Sequence, residues 1–368
     1  MASDADGGMS LQPATLPYVG NEAARRFLLG TRRAGRLAHA YLFVGPRHVG
    51  RRTLALWLAR LVNCGQAKSP NQVAPLEPDS SAPTEAGPCD RCSACRRIMH
   101  GNYPDVMVVE PEIDEFGEVK RGVLIEQIRE VVERRAPLRP YEGRTKVFVI
   151  RGADTMTPQA ANAFLKTLEE PPAATLFVLT AADQARLLPT IVSRCQTVTL
   201  RPVPARTLAA ALAAWESWPD RNADNAELFA RLSGGCPGAA VLATQQPDYL
   251  TARQHWLDQV SHLVSADRHQ RLATVASMTT RSAAAPLLEH WLTWWRDVLL
   301  LRSGSGEGIT HWDQRAALAS LAARLRPSEI AAFLRRIEET RDRIERNANV
   351  RLAFEVLVLD MPYVADAA

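Results

Sequence analysis

From about Gly20 to Arg201, short apolar runs alternate with amphipathic stretches, and beyond Arg201 that alternation stops. The runs "AYLFVG" (40–45), "DVMVVE" (105–110), "KVFVI" (146–150), "TLFVLT" (175–180) and "TVTL" (197–200) are nearly continuous in apolar side chains. A strand covered on one face alternates polar with apolar, whereas a strand covered on both does not. The runs therefore predict a parallel sheet between layers of helices. The segments between them carry a helical period. "RTLALWLARLVN" follows the first run, and "VLIEQIREVVERRA" (123–136) sets Ile125, Ile128 and Val132 on one face and Glu126, Arg129 and Glu133 on another. In "DTMTPQAANAFLKTLEEPP" both ends of a helix are written out. Thr157 caps it, and Pro158 stands in the first turn, where a missing N–H costs nothing. Ala161, Phe164, Leu165 and Leu168 form one buried stripe, and Pro171 and Pro172 stop the helix.

After "RPVPA" (201–205) strand signals fade. Residues 206–246 read as a small helical unit around the turn "SGGCPGAA", and a longer helical domain runs from about Tyr249 to Tyr363. Its clearest helices are "LEHWLTWWRDVLLL" and "EIAAFLRRIEETRDRIERNANVRLAFEVLVL". The boundaries expected are 1–203, 204–247 and 248–368. Trp291, Trp294 and Trp295 fall at i, i+3 and i+4 and read as helix core or an interface between helical domains, in preference to nucleobase stacking. Residues 1–16 read as a flexible tail. The Pro-, Ser- and Ala-rich segment 66–88 is too poor in apolar groups to bury and reads as a mobile surface loop.

At 368 residues the chain exceeds one ordinary core, in keeping with two or three domains. With 46% apolar and 23% charged residues it is an ordinary globular chain, which excludes disorder as its main state. A formal charge of +4, from 44 basic and 40 acidic groups, is too small to diagnose nucleic-acid binding by itself. No apolar run approaches the about 18 residues a membrane span needs. The opening "MASDADGGMS" is unlike a secretory leader, so a cytoplasmic protein is expected. In that compartment six cysteines point to metal ligands or buried thiols rather than disulfides.

"GPRHVGRRT" (45–53) has the outline of a phosphate-binding loop, G-x-x-x-x-G-K-[ST]. Gly45 and Gly50 are in place after a strand and before a helix, but Arg51 stands at the lysine position and Arg52 at the hydroxyl position. Thr53 comes one residue late, a rotation of about 100° that turns its hydroxyl away from a metal. A planar guanidinium does not replace a slim ammonium in a tight cradle, and Arg52 brings a cation to the place of magnesium. The acidic pair that should end the strand "KVFVI" is replaced by Arg151 and Gly152, with Asp154 too far along. A vestigial nucleotide loop is the reading, against a plain glycine-containing turn.

Cys89, Cys92 and Cys95 form C-x-x-C-x-x-C, and Cys64 closes the helix after the loop. Four thiolates make a closed structural zinc site. The long intervening loop is no obstacle, since closure entropy grows by only about 0.6 kcal/mol per doubling of length. An iron–sulfur cluster, whose run normally continues to a fourth close cysteine, or unligated thiols are the alternatives. Cys195 and Cys236 are isolated and read as small buried residues.

"GRLAHAYLFVGP", a cysteine module inserted after the loop helix, "NAFLKTLEEPP" and "LLPTIVSRC" together resemble the clamp-loader branch of the AAA+ superfamily. Within it the likeness is to the delta-prime family of bacterial DNA polymerase III, over about residues 18–245, with "NANVRLAFEVLVL" similar to its last helices. The resemblance implies a RecA-like AAA+ domain with an inserted zinc module, a small helical lid and a helical collar that joins a pentameric ring. It implies that Arg194 of the Ser193–Arg194–Cys195 motif is an arginine finger, reaching the ATP site of a neighbouring motor subunit. An arginine taken at random is a surface residue in an ion pair; its place inside the motif is what assigns the finger. Partners implied are the gamma/tau motor subunits, the delta subunit, and, through the complex, the sliding clamp and primer–template DNA. Two departures bear on nucleotide. Ala239 stands in the lid turn where ATP-sensing members often carry a basic residue, and Arg51 replaces a lysine that many delta-prime members keep. The expectation is a non-hydrolysing subunit with doubtful ATP binding. The alternatives are an ATP-hydrolysing motor subunit of the same loader, and a zinc-containing DNA-binding module on a degenerate AAA+ scaffold.

Overall fold

The computed structural model describes residues 18–66, 87–113, 119–218, 222–278 and 281–364. The tail expected at 1–16 and nearly all of the loop expected at 66–88 lie outside the described residues. In chain order the first part contains α1 (Glu22–Arg33), β1 (Ala40–Val44), α2 (Arg51–Asn63), α3 (Ser93–Met99), β2 (Val106–Val109), β3 (Glu112–Ile113) and β4 (Val119–Arg121). It continues with α4 (Ile125–Gln127, extended by a wider turn over Ile128–Glu133), β5 (Lys146–Ile150), α5 (Pro158–Glu169), β6 (Thr175–Ala181), α6 (Pro189–Val192) and β7 (Gln196–Thr199). Five strands form one parallel sheet in the order β2-β5-β6-β1-β7, while β3 and β4 form a small antiparallel hairpin.

The sheet shows why its strands read as unbroken apolar runs. Tyr41, Phe43, Val147, Val149 and Val178 face α1 and α2 and join Leu28, Leu54 and Leu58 in one core. Their neighbours Leu42, Phe148, Ile150, Phe177 and Leu179 face the other way and pack with Ile128, Val132, Phe164 and Leu168. Successive side chains point to opposite faces, so burial on both sides demands apolar groups throughout. β7 departs from the expectation: it is the edge strand, Thr197 and Thr199 are not buried, and only Val198 enters the core.

α5 has the predicted ends. The Thr157 hydroxyl accepts the Ala160 N–H at 3.2 Å, and the helix closes at Glu169 just before the two prolines. The stretch 123–136 is not one regular α-helix, because its second half winds more loosely from Ile128 to Glu133, yet Ile128 and Val132 still reach the core.

The remainder is helical: α7 (Ala205–Ala213), α8 (Ala223–Leu232), α9 (Pro237–Thr244), α10 (Tyr249–Ser265), α11 (Arg268–Met278), α12 (Arg281–Arg302), α13 (Arg315–Arg324), α14 (Pro327–Glu345) and α15 (Val350–Leu359). Leu208, Leu212, Trp215, Trp218 and Phe229 form the core of α7 to α9. Trp291, Trp294 and Trp295 are buried among the later helices with Phe333 and Phe354, so they are core. The long string expected from 329 to 359 is broken. Asn347 takes a left-handed φ of 68°, and the Asn349 carboxamide caps α15 through the Leu352 N–H at 3.1 Å. Arg271 of α11 is buried and donates to the carbonyls of Leu263, Val264, Val358, Met361 and Pro362, tying α10 and the end of α15 together. No helix among the described residues is long and apolar enough to cross a membrane.

Candidate functional site

β1 delivers the chain to the loop 45–50, beyond the carboxyl end of the sheet, where open α/β folds bind ligands. Both glycines are required there. A Cβ at Gly45 would lie 2.5 Å from the Leu200 carbonyl oxygen, and Gly50 opens α2 with φ 105°, a conformation that L side chains avoid. The charges around this loop are mostly positive. Arg51 is half-buried; burial holds its pKa below the usual value, Asp154 opposes that, and Arg47 and Arg151 add to it. His48 is likewise held low by burial and then by Arg47, Arg51 and Arg151.

The positions that would hold a divalent ion are otherwise engaged. Arg52 is exposed, with its guanidinium 4.0 Å from Glu110, and Arg151 holds the same Glu110 oxygen at 2.7 Å. Asp154 is engaged through one oxygen, Oδ2, which accepts the N–H groups of Ala182 at 2.9 Å and Asp183 at 3.3 Å. Thr53 is exposed. These side chains do not fit a magnesium-bound triphosphate, which needs a slim ammonium, a hydroxyl and a free strand-end acid. The first turn of α9 lies directly on the loop. The Gly238 N–H donates to the His48 carbonyl at 2.9 Å, with His48 itself at φ 62°, while Cys236 and Ala239 pack into the sheet core.

Arg194 lies at the other end of β7. Gln196 begins that strand opposite Tyr41, and Thr199 ends it opposite Val44, next to the phosphate-type loop. At about 3.3 Å per residue the strand separates Arg194 from the chain's own cleft by more than about 10 Å. The side chain is 35% exposed and sits in an ion pair: Nη2 donates to Glu169 Oε1 at 2.8 Å and Nη1 to the Thr190 carbonyl at 3.0 Å. The Ser193 hydroxyl donates to the same carbonyl at 3.1 Å. Cys195 is half-buried rather than fully buried, and burial pushes its thiol up to about 12; Cys236 is buried as expected.

The Sγ atoms of Cys64, Cys89, Cys92 and Cys95 lie within 4.8 Å of one another. A tetrahedral zinc with Zn–S bonds of about 2.3 Å needs S···S separations near 3.8 Å, so a small inward movement seats the ion. The N–H groups of Cys89, Cys92 and Cys95 point at the sulfurs of Cys64, Cys89 and Cys92 at 3.4, 3.3 and 3.5 Å, donors that favour thiolates. For Cys92, partial burial raises the pKa, but the Cys95 and Gly65 N–H groups and the neighbouring thiols bring it down to about 6. The backbone N–H groups of Arg91 and Cys92 lower that of Cys89, and burial raises that of Cys95. The donor set fits a closed four-sulfur ion.

Sequence reasoning did not find Glu169, Thr190, Glu110 or the His48–Gly238 contact. All but Thr190, whose carbonyl serves Ser193 and Arg194 within its own turn, act through a partner remote in sequence, and only Glu169 stands at the end of a clearly bounded helix.

A family profile described as "DNA polymerase III, delta subunit" matches residues 20–204, and one described as "DNA polymerase III, delta subunit, C terminal" matches 247–361. The chain is 30% identical over 328 residues to DNA polymerase III subunit delta' of Pseudomonas aeruginosa, covering 88% of this chain and 90% of that one. It is 32% identical over 339 residues to DNA polymerase III subunit delta' of Escherichia coli, covering 91% and 90%. Over 180 residues it is 34% identical to DNA polymerase III subunit gamma/tau of Mycobacterium tuberculosis, covering 49% of this chain and 27% of that one.

Proposed function

The chain belongs to the delta-prime family of DNA polymerase III clamp-loader subunits, and from that we propose that it is a non-hydrolysing subunit which serves a neighbouring ATPase with Arg194. The observation that carries the reading is the replacement of the metal-holding groups in its own cleft. Arg52 and Arg151 share Glu110, and one oxygen of Asp154 accepts two backbone N–H groups. Such a cleft does not assemble a magnesium-bound triphosphate for hydrolysis. Arg194 lies outside that cleft and is partly exposed, which supports a role in neutralising phosphate charge on another subunit, a contribution of about 10³–10⁵ in rate for arginine fingers.

In this reading residues 1–203 form the AAA+ base with its zinc module, 204–247 the lid and 248–368 the collar. Cys64, Cys89, Cys92 and Cys95 would hold a structural zinc, which cross-links the end of α2 to the start of α3. Leu352, Val356, Leu359 and Tyr363 leave an apolar stripe exposed on and after α15, suited to burial against other collar domains. The neighbours are gamma/tau and delta subunits, and the complex as a whole acts on the sliding clamp and primer–template DNA.

The test is reconstitution. The isolated chain is expected to show negligible ATPase. Arg194→Ala is expected to lower the DNA-stimulated ATP turnover of the assembled loader, because one of its active sites loses about 10³-fold or more. An unchanged turnover removes the finger, and steady hydrolysis by the isolated chain removes the non-hydrolysing assignment.

A further inference from the structure

Arg194 leaves the turn after α6 with a long, flexible side chain, and two groups hold its far end. The Thr190 carbonyl accepts from Nη1 at 3.0 Å, and Glu169, 25 residues earlier, accepts from Nη2 at 2.8 Å. Glu169 is the last residue of α5, a helix anchored by buried Phe164 and Leu168 and stopped by Pro171 and Pro172. A guanidinium has five N–H groups in a rigid planar fork. Two are used here, one on each Nη, and the side chain is 35% exposed, so further N–H groups of the fork remain for a ligand. A phosphate oxygen could be taken up without breaking either contact.

The energetics argue against a stabilising role for the pair. Glu169 and Arg194 are 51% and 35% exposed, and an exposed ion pair contributes only about 0–1 kcal/mol to stability. What the two contacts do is remove rotamer freedom, of which a free arginine side chain has much. Freedom removed before the phosphate arrives is not lost when it arrives, which is how positioning enters a rate.

We propose that Glu169 is a positioning residue that aims the Arg194 guanidinium at the triphosphate of the neighbouring subunit. The proposal rests on the reading of Arg194 as a finger in trans. Its ligand class is the terminal phosphates of a bound nucleoside triphosphate, and Thr190 supplies the second, backbone support. Glu169 does not itself touch the nucleotide.

The experiment uses the full chain in a reconstituted clamp loader with DNA-stimulated ATP turnover as readout. Glu169→Gln keeps an oxygen acceptor at the same reach without the charge, whereas Glu169→Ala removes both. Glu169→Ala is expected to lower kcat by about 3–10-fold, less than the about 10²-fold that a 1 Å misplacement can bring. KM for ATP and recovery of the intact complex should stay unchanged, and Glu169→Gln should keep more than half of the rate. In an Arg194→Ala background, Glu169→Ala should have no further effect, an outcome that a merely structural residue would not give. If Arg194→Ala alone leaves turnover unchanged, the finger reading fails and the positioning role with it. If Arg194→Ala lowers turnover while Glu169→Ala matches or exceeds the wild-type rate, only the positioning role is overturned. Glu169→Gln as impaired as Glu169→Ala would assign the effect to charge and also overturn the role.

Discussion

Cys92 shows how much one side chain settles. It is an N-cap as well as a candidate ligand, since its sulfur accepts the Cys95 N–H at the start of α3. Cys92→Ser keeps a capping oxygen but removes one of four soft ligands. We expect zinc measured by atomic absorption to fall from about one per chain to near zero, since structural zinc sites are closed four-ligand sets. The melting midpoint should fall by about 2–4 °C for each kcal/mol lost. This site was largely legible in the sequence, because two-residue spacing between thiols is itself a geometric statement. The partner of Arg194 was not legible: the contact with Glu169 depends on where two helix ends meet, which no local pattern encodes.

The helix α9 carries the clearest element-scale consequence. A backbone hydrogen bond from the Gly238 N–H to the His48 carbonyl fastens its first turn to the loop 45–50. A Cβ at Gly238 would sit 2.9 Å from the His48 carbonyl oxygen, and backbone cannot swing aside as a side chain can. Gly238→Ala is therefore expected to displace α9 from the loop at a cost of about 1–3 kcal/mol. It should appear as faster amide hydrogen exchange in α9 with β1 and β6 unchanged. Gly30→Ala in α1, where a Cβ meets nothing within 4 Å, is the matched control and should gain about 0.5–1 kcal/mol. Equal exchange in the two variants would refute an α9 held by this contact. Elements with written ends, such as α5 with Thr157, Pro158 and Pro171, were legible to the residue. The looser turn at 128–133 and the break at 346–349 were hidden because the apolar period runs through both. β7 misled for another reason: being an edge strand is a property of the sheet, not of "TVTL".

For the molecule as a whole, the contact between α10 and α12 at His290 is expected to be acid-sensitive. His290 lines a cavity of about 580 Å³ there, together with Tyr249, Arg253 and His311, and its ring stacks on Trp256 at 4.8 Å. Burial first, and then His311 and Arg253, lower its pKa from 6.5 to about 4. Asp313 engages Arg253 at 2.7 and 2.8 Å, and Asp297 Oδ2 engages His311 at 2.9 Å. Below pH 6.5 the unfolded chain gains a proton at this residue that the folded chain refuses. Its contribution is thus present above 6.5 and lost as pH falls through 4. The urea midpoint should decline across that window, and His290→Phe, which keeps a ring on Trp256, should flatten the decline; an unaltered slope would assign it elsewhere. Arg271 behaves in the opposite way. Its acceptors are all main-chain carbonyls, which do not titrate, and a guanidinium keeps its proton throughout. Acidification consequently bears on the α10–α12 contact at His290 and passes over the rivet at Arg271, two fastenings of one bundle that answer differently to protons.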